Sequence, residues 1–352
     1  MLELLDMRIL AIDTSCDETS AAVTDGVRVL SNIIWSQASL HAKFGGVYPS
    51  LARQAHKEHL DWVIGKALSS ARCLVPDLSA IAVTVGPGLA IALEVGISKA
   101  KELVQKHKLP LIPVNHIEGH LLSPLANQDL KIKYPALGIV VSGKHTDIIL
   151  VEKIGQYKIL AQTIDDALGE ALDKAARMLG LGYPGGALLE QLARKGKPDK
   201  YSLPVPLAGQ KERLDFSYSG LKTAMYLSIE KEKPLNKNKI QNLAAAFQDR
   251  AFKHLENIFT NLLNQYLIKD VLLGGGVSAN TELRKRLRII CKQRDIILHL
   301  PYSKKLCTDN AAMVGIVAAF KFEREEFLSG TLVNQIDRLP RARVDMKFFT
   351  PK

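Results

Sequence analysis

One run of short elements occurs twice in this sequence, and it limits the possible folds more than any other feature. The apolar segment Arg8–Asp13 passes through the polar loop Thr14–Thr19 into the strand Ser20–Thr24, and the turn Asp25-Gly26 leads to Val27–Ile34. Asp-Gly between apolar runs is a strong hairpin signal. The same order returns at Leu137–Val141, Ser142–Thr146, Asp147–Val151, a turn at Gly155-Gln156 and Tyr157–Thr163.

Each copy is followed by helical patterns and further apolar strands. After the first come a helix over Ser50–Ala71, the strand Ala80–Val85, a helix over Glu94–Lys106 and the strand Leu111–Val114. After the second come a helix over Gly169–Leu179, a helical insertion over Lys239–Leu267, the strand Asp270–Leu273, and helices over Asn280–Arg294 and Asp309–Phe327. Strands alternating with helices form α/β layers. The expected fold is therefore α/β, with two similar lobes, each a mixed sheet flanked by helices, and a cleft between them. The proline-bearing stretch Ser123–Pro135 supplies the boundary. It gives a first lobe over 1–125 and a second over 126–352, whose last helix (309–327) could pack back on the first.

Glycine loops fall between strands and helices. They are Gly86-Pro87-Gly88-Leu89 and Gly274-Gly275-Gly276, with Gly182-Tyr183-Pro184-Gly185-Gly186 as a third close-approach loop. Backbone N–H groups at such a turn can cradle phosphate at a helix N-terminus, although tight turns use glycine anyway. Two of them in register with a duplicated hairpin point to a nucleotide in the cleft.

His116 and His120 stand four apart in Asn115-His116-Ile117-Glu118-Gly119-His120. On a helix they share one face and could hold a divalent metal, with Asp309 as a distant third ligand if the fold joins the segments. Many such pairs merely sit on a helix face. Asn115 is a helix cap, and Glu118 three residues on completes a capping-box-like pair. Zinc proteases place the glutamate directly after the first histidine, as general base. Here it follows by two, roughly 200° around the helix, and points away from the metal face.

Lys and Arg exceed Asp and Glu by 47 to 36, a net charge of +11, which favours an acidic partner such as nucleic acid. The densest cluster is Arg284-Lys285-Arg286 with Arg288, Lys292 and Arg294, and the tail adds Arg338, Arg341, Arg343 and Lys347. No aromatics interleave with these cations, so phosphate and shape contacts are the expected mode rather than base stacking. Cys16, Cys73, Cys291 and Cys307 show no paired spacing, which fits a reducing cytoplasm. No apolar run is long enough to span a membrane, and the acidic start lacks the basic region of a secretory signal. Met7 could be the true start, which would make the first six residues a dispensable extension. His41, His56 and His59 read as surface or loop residues.

Taken in order, the motifs resemble those of the TsaD family, also called Gcp, of bacterial tRNA threonylcarbamoyladenosine transferases, within the actin/hexokinase/Hsp70-like superfamily. The likeness runs from Arg8-Ile-Leu-Ala-Ile-Asp-Thr-Ser-Cys-Asp-Glu-Thr to Cys307-Thr-Asp-Asn. Between them lie Leu40-His-Ala-Lys-Phe-Gly-Gly-Val, Gly86-Pro-Gly-Leu, His116-Ile-Glu-Gly-His, Val141-Ser-Gly-Lys-His-Thr, Asp173-Lys, Tyr183-Pro-Gly-Gly, Phe216-Ser-Tyr-Ser-Gly-Leu-Lys-Thr and Gly274-Gly-Gly-Val-Ser-Ala-Asn.

The resemblance implies transfer of a threonylcarbamoyl group from threonylcarbamoyl-AMP to N6 of the adenosine 3′ of the anticodon, in tRNAs reading A-starting codons. It implies one divalent metal, Fe2+ before Zn2+ or Mn2+, on His116, His120 and Asp309. The adenylate would lie against Val140, Val141, Ser142, Gly143, Lys144, Asp173, Gly186 and Asn280, with Glu190 toward the ribose. Asp17 or Glu18 could accept the proton of the amine. The partners implied are tRNA, a smaller paralogous subunit forming a heterodimer, and a separate ATPase subunit, all cytoplasmic. The chain departs from the family at Lys144, where a second glycine is usual, and at Glu94, where the family tends to be apolar. The competing readings are a small-molecule kinase of the same superfamily, a metalloprotease, and a non-enzymatic scaffold.

Overall fold

The computed structural model describes residues 7–210 and 212–346. The start-site question and Lys347 lie outside the described residues. Two compact units emerge: one comprises residues up to 131, 154–157 and from 300 onward, the other 132–153 and 158–299.

In the first unit the sheet contains β1 (Arg8–Asp13), β2 (Glu18–Asp25) and β3 (Arg28–Ser36). Helices α1 (Ala38–Ala42) and α2 (Pro49–Ser70) follow, then β4 (Ala80–Gly86), α3 (Ala90–His107), β5 (Leu111–Asn115) and α4 (His116–Leu122). The strand order is β3-β2-β1-β4-β5, antiparallel across the hairpins and parallel from β1 to β5. Side chains alternate across a strand, so β1 serves both faces. Leu10 and Ile12 enter one core with Leu60, Val63, Leu93 and Ile97 of α2 and α3. Ile9, Ala11 and Asp13 turn to the other face.

The second unit repeats the plan. It holds β6 (Ala136–Val141), β7 (Thr146–Lys153), β8 (Gln156–Gln162), α5 (Leu168–Met178) and α6 (Gly186–Ala193). Next come α7 (Ser219–Glu232), α8 (Lys237–Gln265), β9 (Asp270–Gly274), α9 (Thr281–Lys292) and β10 (Ile297–His299). Its order, β10-β9-β6-β7-β8, is the first sheet's order element for element. The duplicated two-sheet α/β architecture expected from the repeated hairpins is thus present. Helices α6 and α7 and the short β10 were not anticipated. The apolar stripe of α7 is only Leu221, Met225 and Ile229, too thin to register as a period.

The last helix, α10 (Ala311–Glu323), belongs to the first unit and packs on β1, β2 and β5 and against α4. A single cut at 125/126 therefore does not describe the compact units, because the chain from 300 onward returns to the first. The return depends on close packing. A Cβ on Gly315 would stand 2.6 Å from the Thr24 side chain, and one on Gly119 would stand 3.0 Å from Met313 Cγ.

Candidate active site

The parallel strand β5 runs straight into α4, so His116 opens the helix and His120 stands one turn further on. Asn115 Oδ1 accepts the N–H groups of Ile117 (2.8 Å) and Glu118 (3.2 Å) and fixes that start. The expected reciprocal bond from Glu118 is absent, because Glu118 Oε1 accepts the Tyr157 hydroxyl at 2.9 Å on the opposite side of the helix. Burial holds Glu118 above the usual carboxylate range, only partly offset by Lys321 and the Tyr157 bond.

Asp309 immediately precedes the cap of α10, where Asn310 Oδ1 accepts the Met313 N–H at 3.2 Å. The packing of α10 on α4 brings Asp309 Oδ1 to 3.1 Å from His120 Nε2 and 3.6 Å from His116 Nε2. One ligand atom from each of the three residues falls within 4.8 Å of the others. The imidazoles sit 4.6 Å apart and nearly perpendicular.

The chemistry of this set suits a divalent ion. Burial pushes the His120 pKa down, against the pull of Asp309 and assisted by the neighbouring His116, so the ring is held in the neutral form that binds metal. Its buried Nδ1 has no hydrogen-bond partner. Behind His116, the Ser15 hydroxyl lies 3.1 Å and Asp13 Oδ2 3.7 Å from Nδ1. A carboxylate and a hydroxyl behind a ligating imidazole fix its orientation. Asp13 and Ser15 went unnoticed in the sequence. The available signal was a carboxylate ending the apolar run Ile9–Ile12.

Glu18 begins β2 rather than lying in the preceding loop. Burial, reinforced by Asp17, Asp309 and Asp13, raises its pKa well above the ordinary value. Four carboxylates thus influence one small region, an arrangement that favours a cation and leaves Glu18 a stronger base than an ordinary glutamate.

His41 and His56 are not surface residues; both are buried in a polar network. Thr19 Oγ1 lies 2.8 Å from His56 Nδ1, and the other ring nitrogen of His56 lies 3.1 Å from the Cys16 carbonyl. Gln37 joins them, with its Oε1 3.1 Å from His41 Nε2 and its N–H donating to the Asp17 carbonyl at 3.0 Å. This network fixes the 14–18 segment from outside the sheet. His59 instead stacks on Trp35, 3.6 Å between centroids.

The remaining predicted residues lie in the second unit. Val140 and Val141 end β6, and the turn Ser142-Gly143-Lys144-His145 is closed by the Ser142 hydroxyl, which accepts the N–H groups of Lys144 (3.3 Å) and His145 (3.1 Å). Gly275, at φ +87°, passes so near that a Cβ would stand 2.4 Å from the Val141 carbonyl oxygen. A Cβ on Gly169 would stand 2.5 Å from that of Ser142. Asp173 Oδ1 accepts the N–H groups of Gly185 (2.9 Å) and Gly186 (2.7 Å). Burial nevertheless raises its pKa. Asn280 caps α9 through Glu282 and Leu283 and donates to Gln248. Glu190 accepts from Thr281 and pairs with Arg194; burial raises its pKa, but these bonds outweigh it and leave the carboxyl below its usual range.

Two expectations need correction. The Gly86-Pro87-Gly88 glycines serve the chain's own packing. A Cβ on Gly86 would fall 1.9 Å from the Leu339 carbonyl oxygen, and one on Gly88 would fall 2.6 Å from that of Ser15. The tail lies over this turn, with Leu339 N–H donating to Val85 at 2.7 Å and Gly88 N–H to Pro340 at 3.2 Å. The densest basic cluster is also partly neutralised internally, since Arg286 pairs with Asp249, Glu282 and Glu256. Lys285, Arg288 and Lys292 remain exposed on one stripe of α9. The departures are accommodated: Glu94 pairs with Arg338 at 3.0 Å, and Lys144 is exposed with no left-handed φ.

The family model for TsaD, tRNA N6-adenosine threonylcarbamoyltransferase, matches residues 28–316. The chain belongs to the TsaD family. It is accordingly a transferase acting in tRNA modification. A relative named tRNA N6-adenosine threonylcarbamoyltransferase from Bartonella tribocorum is 42% identical over 354 residues, covering 96% of this chain and 94% of its own. One of the same name from Trichlorobacter lovleyi is 44% identical over 312 residues, covering 88% and 90%. The fold is shared with full-length HypF in its phosphate- and nucleotide-bound form (TM-score 0.63, 16% identity, 93% of this chain and 48% of that one). It is also shared with component A of the Acidaminococcus fermentans (R)-2-hydroxyglutaryl-CoA dehydratase (TM-score 0.54, 14% identity, 90% and 98%). The shared feature is the duplicated fold of two five-stranded mixed sheets flanked by helices. Among the described residues no helix is long and apolar enough to cross a membrane.

Proposed function

We propose that this transferase moves a threonylcarbamoyl group from threonylcarbamoyl-AMP to N6 of the adenosine 3′ of the anticodon, in the cytoplasm, with a divalent ion held by His116, His120 and Asp309. The observation that carries the reading is the gathering of those three ligands, 189 residues apart between His120 and Asp309, in a chain of this family. The donor set suits Fe2+, Zn2+ or Mn2+, and we favour Fe2+. When bound, the ion supplies Lewis acidity toward the oxygens of the transferred group.

The adenosine amine attacks the carbamoyl carbon, the bond from that carbon to the phosphate oxygen breaks, and AMP departs. The amine loses a proton, and Glu18, with its raised proton affinity, is the better placed acceptor; Asp17 assists by its charge. Ser15 and Asp13 hold the His116 ring in orientation. The Gly143 N–H in the Ser142–His145 turn receives the leaving phosphate, and Asp173, which holds the Gly185-Gly186 start of α6, contacts the ribose side of the adenylate. Lys144 adds a cation to that turn. Phosphates of the tRNA meet the Lys285–Arg288–Lys292 stripe. A smaller paralogous subunit and a separate ATPase complete the working assembly.

Purified protein with these partners, threonylcarbamoyl-AMP and tRNA tests the reading. Labelled threonine enters tRNA in wild type, and His116→Ala and Asp309→Ala lose both metal content and turnover. Near-normal turnover in both variants would refute the metal role. The mixture of casein proteolysis or sugar-dependent ATP use with no transfer would favour the protease or kinase alternatives.

A further inference from the structure

The turn between α1 and α2 carries an aromatic pair in solvent. Phe44 is 54% and Tyr48 53% exposed, yet their rings stack 24° from parallel with centroids 5.5 Å apart. The Lys43 ammonium lies 5.3 Å from the centre of the Phe44 ring. A buried histidine organises the turn from beneath. His41 Nδ1 accepts the Tyr48 N–H at 3.3 Å, and its carbonyl accepts the Phe44 N–H at 2.9 Å. On its other side His41 meets Gln37, whose N–H is bonded to the Asp17 carbonyl. The aromatic pair is thus wired through two side chains to the acidic segment beside the three ligands.

We infer that Phe44 and Tyr48 form a stacking platform for an unstacked base of the tRNA, adjacent to the adenosine that is modified. The inference rests on the proposed function. An N6 amine can be reached only when its base leaves the stack, and this leaves a neighbouring base with a bare face. Single-stranded bases are bound by aromatic faces combined with cations, and here both rings keep about half their surface open beside an ammonium. The net charge of +11 matches an anionic strand. The platform escaped the sequence reading because its aromatics lie in a glycine turn far from the basic clusters. Pro49 opens α2 directly after Tyr48 and stiffens that side of the turn.

The test uses the full-length protein, with its partner subunits, and an anticodon stem-loop RNA, measuring Kd at several salt concentrations. Phe44→Ala and Tyr48→Ala each weaken binding about five- to 150-fold, the equivalent of ~1–3 kcal/mol of base–aromatic stacking. The slope of log K against log salt stays unchanged, since stacking releases no counterion. Phe44→Trp retains the wild-type affinity. A 2-aminopurine beside the target adenosine is quenched on wild type and not on the double variant. Kd within twofold of wild type in both single variants overturns the platform, as does a change confined to the salt slope. Loss of subunit assembly with unaltered RNA affinity also overturns it and makes the pair a protein interface. Should wild type neither bind nor modify the RNA, the proposed function fails first; wild type active with unaffected variants removes only the platform.

Discussion

At the residue scale, the candidate site depends on side chains that orient others. Asp13 is buried at the end of β1, with Oδ2 facing His116 and no hydrogen-bond partner for that atom. In the proposed metal site it is the carboxylate that orients the His116 imidazole. Asp13→Asn is expected to lower metal affinity roughly 10- to 100-fold while leaving the fold intact, as measured by chelator competition and circular dichroism. Unaltered metal retention would deny Asp13 that role. Lys144 bears on the proposed adenylate donor. Lys144→Gly raises the KM for the adenylate donor several-fold if the lysine contacts phosphate; a lower KM would mean that the side chain crowds the turn. His116 and His120 were visible in the sequence as a pair because helical spacing alone puts them on one face. Asp13 was not, since an acid at the end of an apolar strand looks like the start of a loop until the sheet shows which way it faces.

At the element scale, glycine matters where two backbones meet. Gly86, at φ +155°, leaves no room for a Cβ beside Leu339. Gly86→Ala should therefore destabilise by about 2–4 kcal/mol in urea unfolding, from overpacking and backbone strain. Gly65, on the exposed face of α2 with nothing near its missing Cβ, is the contrast. Gly65→Ala should stabilise by about 0.5–1 kcal/mol. Equal effects of the two substitutions would contradict the packing account. These two glycines also mark what local sequence could not say. Gly-Pro-Gly between strand and helix reads as a phosphate loop, and only the tail, more than 200 residues later, reveals that the space is filled by the chain itself. The repeated hairpins were legible because the Asp25-Gly26 turn, the Gly155 turn and short apolar runs are local signals. The thin stripe of α7 and the three-residue β10 were not.

At the scale of the whole molecule, stability should respond to pH through the second unit. His254, on α8, accepts the Ser217 N–H at 3.2 Å, a bond that needs a neutral ring. Burial pushes its pKa down to about 4, against the opposing charge of Asp165. The unfolded chain, with an ordinary histidine near 6.5, binds more protons between these values, so this contribution is present above pH ~6.5 and fades toward pH ~4. The loss is at most about 3 kcal/mol. His254→Gln should flatten urea stability between pH 4 and 6.5; an unchanged pH slope would show that other groups dominate. Duplication was legible at this scale too, because both sheets have the same strand order. The return of α10 to the first unit was only allowed for, since helix–sheet packing over such a separation leaves no local mark.

The central claim is that the three ligands serve threonylcarbamoyl transfer to tRNA. It is tested most directly by mass spectrometry of tRNA nucleosides from cells depleted of this protein and complemented with wild type or Asp309→Ala. The account predicts that threonylcarbamoyladenosine disappears on depletion, returns with wild type and stays absent with Asp309→Ala. Undiminished threonylcarbamoyladenosine after depletion, or full recovery with the Asp309 variant, would contradict it.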